Sequence, residues 1–329
     1  MVYLFAMEQV YTCESIRTSV RIAVVKTRLS QERSMSHMPQ VPNLASKDSP
    51  KPILKWAGGK ARLLSQLALL MPEDVRPGFA GRLVEPFVGG AAMFLWLRPS
   101  GALLADSNDE LINLYEVVRR HPDELETALD FYQSLAHDSD VYYAQRADDP
   151  QDPVKRAARL IYLNRNCFNG LYRLNRSGKF NVPFGRYRSK PKLYDRENLA
   201  LVSDALGAAE LRVAPFEETL AQVEPGDFVY LDPPYYPISQ TSSFTGYTGA
   251  GFGHADQVRL RDAILETHRR TSGAARIMLS NSNAPGLIEL YEPYPEILHV
   301  HSVTAMRAVG AKSSSRGLVE EVAITNYTT

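Results

Sequence analysis

Residues 227–237, DFVYLDPPYYP, are the stretch that decides how this chain folds. The mostly apolar run before Asp232 predicts a buried β-strand, and a rigid turn with a polar head follows its carboxyl end. Pro233 and Pro234 have a fixed φ and no N–H, so the chain cannot continue there as a helix or a central strand. Because ligands bind at the carboxyl ends of strands in open α/β sheets, the sequence predicts a site at this turn.

The groups on this turn suit a planar ring that carries an amino group. Asp232 offers carboxylate oxygens, the two prolines keep their carbonyls as acceptors, and Tyr235 and Tyr236 offer flat aromatic faces. Such acceptors can take the N–H donors of an amino group while the ring stacks on an aromatic side chain. The alternative at this point is an ordinary turn that ends a strand.

Composition and charge are those of a globular enzyme and indicate no partner by themselves. The 329 residues are 44% hydrophobic and 22% charged, with a formal net charge of zero, so only local charge can indicate a partner. Cys13 and Cys167 are too few for a disulfide framework or a metal cluster, which predicts no metal site and a reducing, cytoplasmic location. No apolar run approaches the roughly 18 residues of a membrane span, so no membrane association is expected.

The first 50 residues differ from the rest of the chain. Basic residues among apolar ones between Ser15 and Leu29 leave an amphipathic targeting helix open, whereas residues 36–52 have the Ser, Pro, Asn and Lys content of a linker. We expect residues 1–50 to be a poorly ordered leader and linker. A chain that starts at Met38 is expected to fold and to keep its activity.

Two further segments predict ligand-binding turns before helices. In KWAGGK at 55–60, glycines precede a leucine-spaced helix, so its first N–H groups and Lys60 favour an anion such as a carboxylate or phosphate. RLVEPFVGG at 82–90 predicts a strand and a glycine turn before a helix, but without the G-x-G-x-x-G spacing of dinucleotide sites. Asp106 ends the next strand and is placed to accept hydrogen bonds from a ribose, unless it only begins a helix.

The order of the remaining segments predicts an α/β fold. Apolar spacing predicts helices over 109–136, broken at His121-Pro122, and then over 153–167, 193–206 and 255–268. Further strands are predicted at 102–105, 211–214, 276–281, 296–303 and 321–325. Alternating strands and helices imply a mostly parallel sheet with helices on both faces, interrupted by a helical insertion after the second strand.

The second half of this insertion carries the strongest local charge in the chain. Between Pro153 and Tyr194 no residue is acidic and eleven are basic: Lys155, Arg156, Arg159, Arg165, Arg173, Arg176, Lys179, Arg186, Arg188, Lys190 and Lys192. Aromatic side chains and asparagines lie among them. Basic groups neutralise phosphates, while amides and arginines read base edges, so the segment favours nucleic acid binding over a plain basic surface.

Together these motifs resemble the Dam-type DNA adenine-N6 methyltransferases, the alpha-class, N6 adenine-specific DNA methyltransferase family. The matching blocks are KWAGGK at 55–60, EPFVGGAAMF at 85–94, LLADSNDELINLY at 103–115, LNRNCFNGLYRLNRSGKFNVPFGRY at 163–187, YLDPPYYP at 230–237, SFTGYTGAGF at 243–252, LSNSN at 279–283 and the tail at 309–327. The resemblance implies a Rossmann-like S-adenosylmethionine-dependent methyltransferase sheet with an inserted helical DNA-recognition domain. It implies a catalytic domain at 51–112 and 199–329 and a basic target-recognition domain at 113–198.

The resemblance implies S-adenosylmethionine as the methyl donor. By motif, its binding residues are Trp56, Ala57, Gly58, Gly59, Lys60, Glu85, Pro86, Phe87, Gly89, Gly90, Asp106, Phe216 and Asp232. Trp56, Gly59 and Lys60 would hold the methionine end and Asp106 the ribose, which agrees with the anion and ribose sites predicted above. The chain departs from the family at Pro215, where members often carry an aspartate whose carboxylate a proline cannot supply.

The implied reaction methylates an adenine that is flipped out of double-stranded DNA. The implied catalytic residues are Asp232, Pro233, Pro234 and Tyr235. Asp232 and the Pro233 carbonyl accept the two N6 hydrogens, and Tyr235 stacks on the base. Methyl transfer is then a direct in-line displacement, accelerated mainly by positioning and electrostatics.

The DNA-binding residues implied by the same motifs lie mainly in the basic segment. They are Arg165, Asn169, Gly170, Leu171, Arg173, Asn175, Lys179, Asn181, Arg186, Lys190, Lys192 and Tyr247. Replacing Lys190 and Lys192 together is expected to flatten the salt dependence of DNA binding. GATC is the leading candidate for the recognition sequence, a cognate restriction endonuclease is a candidate partner, and a monomer is expected.

Three other functions share part of this pattern. Cytosine-N4 methyltransferases use the same amino-group chemistry but more often have Ser at the position of Asp232. Methyltransferases of protein glutamine amides resemble the turn, with Asn at that position, and leave the basic segment unexplained. A non-catalytic DNA-binding module would keep the fold as a scaffold, and the intact motif from Asp232 to Tyr235 argues against it.

Overall fold

The computed structural model describes residues 49–56, 60, 63–237, 252–306 and 318–329. By internal contacts the chain forms two units, residues 1–44 and 45–329, and the first lies wholly outside the described residues. The predictions for the leader, for Ala57 to Gly59 and for Tyr247 also concern residues that are not described. In the tail block, the description resumes at Leu318.

Seven strands of the described chain form one sheet at the centre of the second unit. They are β1 (Arg82–Glu85), β2 (Gly101–Asp106), β3 (Ala209–Val213), β4 (Phe228–Leu231), β5 (Arg276–Ser282), β6 (His299–Met306) and β7 (Leu318–Thr325). Their order across the sheet is β3-β2-β1-β4-β5-β7-β6. Strand β7 runs antiparallel to both of its neighbours, and the other pairs are parallel. The predicted mostly parallel α/β sheet is confirmed.

The central strands are apolar on both sides because both faces of the sheet are covered. In β4, Phe228 and Tyr230 join the hydrophobic core on one face, whereas Val229 and Leu231 join the core on the other. All four side chains of this strand are buried. A strand that is buried on both faces reads as a continuous apolar run, which is why this stretch could be predicted from sequence.

Ten α-helices of the described chain cover the sheet and build the insertion. They are α1 (Leu64–Leu70), α2 (Ala92–Leu97), α3 (Asp109–Arg120), α4 (Pro122–Ser134), α5 (Ser139–Ala147), α6 (Pro153–Asn166), α7 (Arg196–Leu206), α8 (Phe216–Leu220), α9 (His254–Arg270) and α10 (Pro285–Tyr291). Helices α5, α8 and α10 are absent from the sequence prediction, and each has nine residues or fewer. In the part of the chain that is described, no helix is long and apolar enough to cross a membrane.

Local capping chemistry sets the helix boundaries of the insertion. The predicted break at His121-Pro122 separates α3 from α4, and Pro122 occupies the first turn of α4. The side chain of Asp152 accepts a hydrogen bond from the Lys155 N–H at 2.9 Å and so caps α6, which also begins with a proline. Asp195 caps α7 in the same way.

The insertion shares its hydrophobic core with one face of the sheet. Leu111 of α3, Leu125 of α4, Ile161 of α6 and Val202 of α7 belong to the same buried cluster as Leu83 of β1. The predicted domain boundaries at 112–113 and 198–199 fall inside α3 and α7, which continue across them. The insertion therefore packs directly against one face of the sheet.

Candidate active site

The carboxyl ends of β1 and β4 meet at the centre of the sheet. From β1 the chain leads outward through β2 to β3, whereas from β4 it leads to β5 on the opposite side. This reversal of strand order leaves the crevice in which open α/β sheets bind ligands. Glu85 is the last residue of β1, and Asp232 follows directly after β4. We call residues 232–237, which follow β4, the acidic turn.

Two hydrogen bonds hold the carboxylate of Asp232, and both reach the same oxygen. The Lys60 ammonium lies 2.8 Å from Oδ1, and the Ser280 hydroxyl of β5 donates to Oδ1 at 3.2 Å. The side chain of Asp232 is 24% exposed and that of Lys60 only 5%. Burial raises the pKa of Asp232, and the charge of Lys60 opposes that rise.

Polar side chains from β5 and α9 fasten the rest of the acidic turn. The Asn281 side chain accepts from the Tyr236 N–H at 2.9 Å and donates to Gln257 at 3.3 Å. Gln257 in turn donates to the Pro234 carbonyl at 2.9 Å, and the Ser282 hydroxyl donates to the Tyr236 carbonyl at 2.6 Å. Sequence reasoning missed this network, although three consecutive polar residues, Ser280 to Ser282, in a buried strand were the available signal.

The Pro233 carbonyl is treated differently from its neighbour. No residue in the described ranges donates a hydrogen bond to it, whereas the Pro234 carbonyl is taken by Gln257. The sequence interpretation assigns the Pro233 carbonyl, and not that of Pro234, as an acceptor for a substrate amino group. The geometry leaves that carbonyl available for the role.

Two contacts hold the side chain of Tyr235, one to its hydroxyl and one to its ring. Its hydroxyl donates to the Glu321 carboxylate of β7 at 2.6 Å, and the Lys60 ammonium lies 4.4 Å from its ring centre. Burial raises the pKa of Tyr235 well above its ordinary value, so the hydroxyl stays protonated and can donate this bond. A ring held in this way is suited to stacking on a flat ligand.

The glycine turn after β1 is built around Asp106. One carboxylate oxygen of Asp106 accepts from the Gly89 N–H at 3.2 Å, and the other accepts from the Asn108 N–H at 3.0 Å. The Tyr115 hydroxyl donates to the Gly89 carbonyl at 2.7 Å. Burial raises the pKa of Asp106 to about 6. Each oxygen of this carboxylate keeps acceptor capacity for a second donor, as a ribose hydroxyl would provide.

Trp56 lies directly on this glycine turn. A Cβ at Gly89 would lie only 2.9 Å from the indole nitrogen, and Gly89 has a φ of +45°, so a side chain there would clash and strain the backbone. Gly90 also lies against Trp56. Another neighbour of the indole is Tyr172, whose ring stacks at a centroid distance of 5.2 Å. The first two predicted cofactor blocks are thus brought together.

Aromatic and acidic side chains line the remaining part of the crevice. Phe87 stacks on Phe216 at 5.5 Å, and Phe252 contacts both rings edge-on. Glu85 is 2% exposed, one of its oxygens has no hydrogen-bond partner among the described residues, and burial raises its pKa well above the usual range. The next residue, Pro86, is buried. Pro215, at which the family pattern is broken, is the residue that precedes helix α8.

Lys60 meets a protein carboxylate in this structure. The glycine-loop pattern places Lys60 at a ligand carboxylate, whereas in the structure its ammonium pairs with the carboxylate of Asp232. The distance is 2.8 Å, which is that of a charge-assisted hydrogen bond. The chain thus links the first and last predicted cofactor blocks through an ion pair.

Lys55, the first residue of the KWAGGK segment, is held against the insertion by one asparagine. The Asn164 side chain accepts from the Lys55 N–H at 2.8 Å and donates to the carbonyls of Lys55 and Gly170 at 2.8 and 3.1 Å. Gly170 has a φ of +64°, and a Cβ there would lie 2.6 Å from the Lys55 Cβ. Asn169 beside it is exposed, and Leu171 is half-buried. The predicted cofactor and DNA-binding segments therefore touch.

Residues 173–181 form a hairpin, which we call the basic hairpin. The Asn175 side chain accepts from the N–H groups of Ser177 and Lys179 at 2.9 and 3.0 Å and so shapes its tip. The Arg173 guanidinium donates to the Asn181 side chain at 2.7 Å across its base. Both predicted asparagines thus hold the hairpin together in this structure.

Exposed cations on and beside the basic hairpin have no acidic partner. Between residues 173 and 188, four basic side chains are exposed and form neither an ion pair nor a side-chain hydrogen bond within the described part of the chain: Arg176, Lys179, Arg186 and Arg188. They lie on the segment that the sequence assigns to DNA. Exposed, unpaired cations of this kind can exchange bound counterions for phosphates.

Other basic residues of the segment already have internal partners. Arg165 donates to the Ile53 carbonyl, Lys190 donates to the Gln133 and Leu135 carbonyls at the end of α4, and Lys192 pairs with Asp195 at 3.0 Å. Arg156 is neutralised by Asp109 and Glu110, outside the segment. The expectation that Lys190 and Lys192 act on DNA stays a prediction. Because a helix terminus and an acidic neighbour engage them, we expect a smaller contribution from these two than from cations without internal partners.

Metal ligation has no candidate among the described residues. No group of three or more His, Cys, Asp or Glu side chains in these ranges is arranged to hold a metal ion. Cys167, the one cysteine that is described, is buried, and burial raises its pKa to about 12.

The strand order and the acidic turn at the switch point define a Rossmann-like methyltransferase. The model of the D12 class N6 adenine-specific DNA methyltransferases matches residues 56–309. The chain belongs to this family and is a site-specific DNA methyltransferase that modifies adenine at N6. Double-stranded DNA is accordingly its substrate.

Three curated relatives match over nearly their whole length. The Type II methyltransferase M1.LlaDCHI of Lactococcus lactis subsp. cremoris is 41% identical over 286 residues, which cover 84% of this chain and 95% of the relative. The Type II methyltransferase M.MjaIII of Methanocaldococcus jannaschii is 38% identical over 294 residues, covering 84% and 99%. The DNA adenine methylase of Serratia marcescens is 34% identical over 273 residues, covering 82% and 96%.

Proposed function

We propose that the acidic turn binds an adenine flipped out of double-stranded DNA and directs its N6 atom at the methyl group of S-adenosylmethionine. The observation that carries this proposal is that two acceptors lie next to each other on the turn. They are the carboxylate of Asp232 and the carbonyl of Pro233, which has no hydrogen-bond donor in the described chain. Two adjacent acceptors fit the two hydrogens of an aromatic amino group. Tyr235, held by Glu321, supplies the face on which the base stacks.

Asp232 and Pro233 act by localising the lone pair of the amino nitrogen. When both N6 hydrogens are held, the lone pair points away from them and towards the methyl donor. S-adenosylmethionine supplies a methyl group on positively charged sulfur, and the new N–C bond forms as the S–C bond breaks, with one N6 proton released to water. The protein contributes position and preorganised charge, which are the main terms in such a displacement.

The residues around the glycine turn fit the cofactor. Asp106 keeps acceptor capacity for ribose hydroxyls, and Trp56, Gly89 and Gly90 form a close-packed wall beside it. The aromatic pair of Phe87 and Phe216 offers a face for the adenine ring of the cofactor. Pro215 supplies no carboxylate there, so we propose that ring packing takes a larger share of adenine binding than in relatives with aspartate.

In this proposal, four exposed cations contact the DNA phosphates: Arg176 and Lys179 of the basic hairpin, and Arg186 and Arg188 beside it. They carry no competing ion pair within the described ranges and flank the segment that Asn164 docks against the KWAGGK loop. This arrangement supports phosphate binding beside the cofactor crevice. We propose GATC as the recognition sequence, a monomer as the active form, the cytoplasm as its compartment, and a cognate restriction endonuclease as a partner.

The decisive experiment is methylation of defined duplexes followed by base-resolved detection of the modified position. The duplexes carry GATC, a scrambled version of that site, or GATC with the adenine replaced by cytosine. Methylation at N6 of the GATC adenine supports the proposal, and methylation of cytosine at N4 would replace it with a cytosine-N4 activity. If adenine is modified irrespective of the surrounding sequence, the assignment of GATC as the recognition sequence is wrong, while the proposed adenine-N6 methylation still stands.

A further inference from the structure

We infer that Lys60 and Ser280 are positioning residues for methyl transfer, because they hold Asp232 through Oδ1 and leave Oδ2 as the oxygen that accepts an N6 hydrogen. This inference rests on the proposed function and assigns separate tasks to the two oxygens of one carboxylate. Neither task is visible in the sequence, which places Lys60 at a ligand and assigns Ser280 no role.

The direction of each hydrogen bond follows from the chemistry of the groups. The Lys60 ammonium only donates and an ionised Asp232 only accepts, so the 2.8 Å contact is donated by the lysine. The Ser280 hydroxyl spends its single proton on Oδ1 at 3.2 Å. It must therefore accept from the Tyr230 hydroxyl, which lies 3.0 Å away. Each hydrogen bond in this chain is thus donated towards Asp232, from Tyr230 to Ser280 and from Ser280 to the carboxylate.

The other oxygen of Asp232 is left for the substrate. No hydrogen bond reaches Oδ2 from the described chain, although the side chain is only 24% exposed. An amino group of a bound base would satisfy this oxygen while Oδ1 remains held. Because Oδ1 has two fixed donors, the plane of the carboxylate is determined before the base arrives, which is the preorganisation that electrostatic catalysis requires.

The charge of Lys60 keeps this carboxylate in the state that accepts. The titratable groups around it are the buried Glu85 at the end of β1, Tyr230 of β4, Tyr235 of the acidic turn and, bound to Tyr235, Glu321 of β7. All of these are neutral or negative, so Lys60 is the cation of this cluster within the described residues. Burial raises the pKa of Asp232 and the lysine opposes it.

A protonated Asp232 would reverse the polarity of the contact. Since Oδ1 already accepts from two donors, the proton would lie on Oδ2. The Oδ2–H group would then face the N–H groups of N6, and Oδ2 could no longer accept from them. Loss of the Lys60 charge raises the pKa of Asp232 further, so a larger fraction is protonated at a given pH. The acid limb of the methylation rate must then move to higher pH.

The test measures single-turnover methylation of a GATC duplex across pH, using full-length protein with saturating S-adenosylmethionine and DNA. The variants are Lys60→Met, which removes the charge, Lys60→Arg, which keeps it, and Ser280→Ala, which removes the second donor. S-adenosylmethionine affinity and melting temperature are measured on each. We expect Lys60→Met to be at least about tenfold slower than Lys60→Arg near pH 6, with a smaller difference near pH 8.5.

The expected pattern separates positioning from cofactor binding. Lys60→Met moves the acid limb to higher pH at saturating cofactor, Lys60→Arg restores it, and Ser280→Ala moves it in the same direction by a smaller amount. If the acid limb of the methylation rate in Lys60→Met stays at the wild-type pH while cofactor binding is weakened, the inference is overturned and Lys60 is assigned to the cofactor. If the lysine variants do not fold, a folded Ser280→Ala with the wild-type rate and limb overturns it.

Failure of this inference is distinguishable from failure of the proposed function. If the wild-type protein places no methyl group on adenine of any duplex, the proposed function fails whatever the variants do. If the wild type methylates adenine and the acid limb stays in place in Lys60→Met and Ser280→Ala, only the division of tasks within Asp232 is wrong.

Discussion

The acidic turn and the basic hairpin differ in where their polar groups find partners, inside the protein or in the solvent. In the turn, side chains from β5, β7 and α9 hold the Tyr236 N–H, the Pro234 carbonyl, the Tyr235 hydroxyl and one oxygen of Asp232, and no donor among the described residues reaches the Pro233 carbonyl or Asp232 Oδ2. In the hairpin, the asparagines build the loop while Arg176 and Lys179 extend into solvent. Buried polar groups must find partners inside the protein, whereas exposed cations keep water until phosphates replace it.

This difference predicts different kinds of loss on mutation. Removing a group from the turn should change the rate of the chemical step with little change in DNA affinity. Removing charges from the hairpin should change affinity and its salt dependence, and leave the rate at saturation intact.

The largest effect is expected for Asp232→Ala, which removes the carboxylate of the turn. The single-turnover methylation rate should fall by at least about 10²–10³, because one preorganised electrostatic contact to the reacting amino group is lost. The prolines still fix the backbone of the turn, but the nearly buried Lys60 ammonium loses its contact with Asp232, so the melting temperature should fall moderately. Asp232→Asn is the matched control of similar size. A variant that melts much earlier and also loses cofactor affinity would favour a structural role.

Asn281→Ala should produce the next largest effect, by loosening the turn. Asn281 is fully buried, and its loss leaves the Tyr236 N–H without this acceptor and removes a donor to Gln257. We expect about 2 kcal/mol of lost unfolding free energy. The methylation rate should fall about 10- to 100-fold, because the acceptors are no longer held in place. Urea unfolding and single-turnover kinetics check the two parts; a normal rate with normal stability would contradict the network.

Cofactor affinity should depend on pH through Asp106. Its folded pKa is raised to about 6, so the carboxyl is protonated below that pH and loses acceptor capacity for a ribose. S-adenosylmethionine affinity should therefore fall by up to about tenfold per pH unit below this value. The raised pKa also means that folding binds this proton more tightly, so its contribution to stability decreases as pH rises towards 6. Calorimetric titration of wild type and Asp106→Asn checks this, and equal pH dependence would contradict it.

The hairpin variant Arg176→Ala with Lys179→Ala should weaken DNA binding without slowing the chemistry. Two lost phosphate contacts should reduce the slope of log affinity against log salt by about 2. The matched control is Lys190→Ala with Lys192→Ala, which removes the same charge from residues that cap α4 and pair with Asp195. That control should leave the slope almost unchanged. Equal slopes for the two double variants would break the distinction between free and internally engaged cations.

The sequence could predict those parts of the site that depend on strand ends. Asp106 and Asp232 follow apolar strands, and parallel strands bring their carboxyl ends to one edge, so both carboxylates could be placed from the sequence alone. The sheet class and the main helices could also be predicted, because the spacing of apolar residues marks strands and helices. The short helix α10 and the ends of β6 were missed, because few residues carry the signal there.

Contacts between distant segments could not be predicted in this way. The pairing of Lys60 with Asp232 joins residues far apart in sequence, and nothing in the glycine loop indicates which anion its lysine meets. The uniform row of positive charges in the basic segment likewise hid the partners of Arg156 and Lys190, since those partners come from α3 and α4. Tertiary packing decides which charges remain free.

The most direct test compares Asp232→Ala and the Arg176, Lys179 double alanine variant in one experiment, with single-turnover rate, DNA affinity and S-adenosylmethionine affinity measured on both. We predict that Asp232→Ala loses at least about 10²-fold in rate with near-normal affinities. We also predict that the double variant loses DNA affinity and keeps the wild-type rate at saturating DNA. A near-normal rate in Asp232→Ala, or a rate loss in the double variant that saturating DNA does not restore, would contradict the separate roles of the turn and the hairpin.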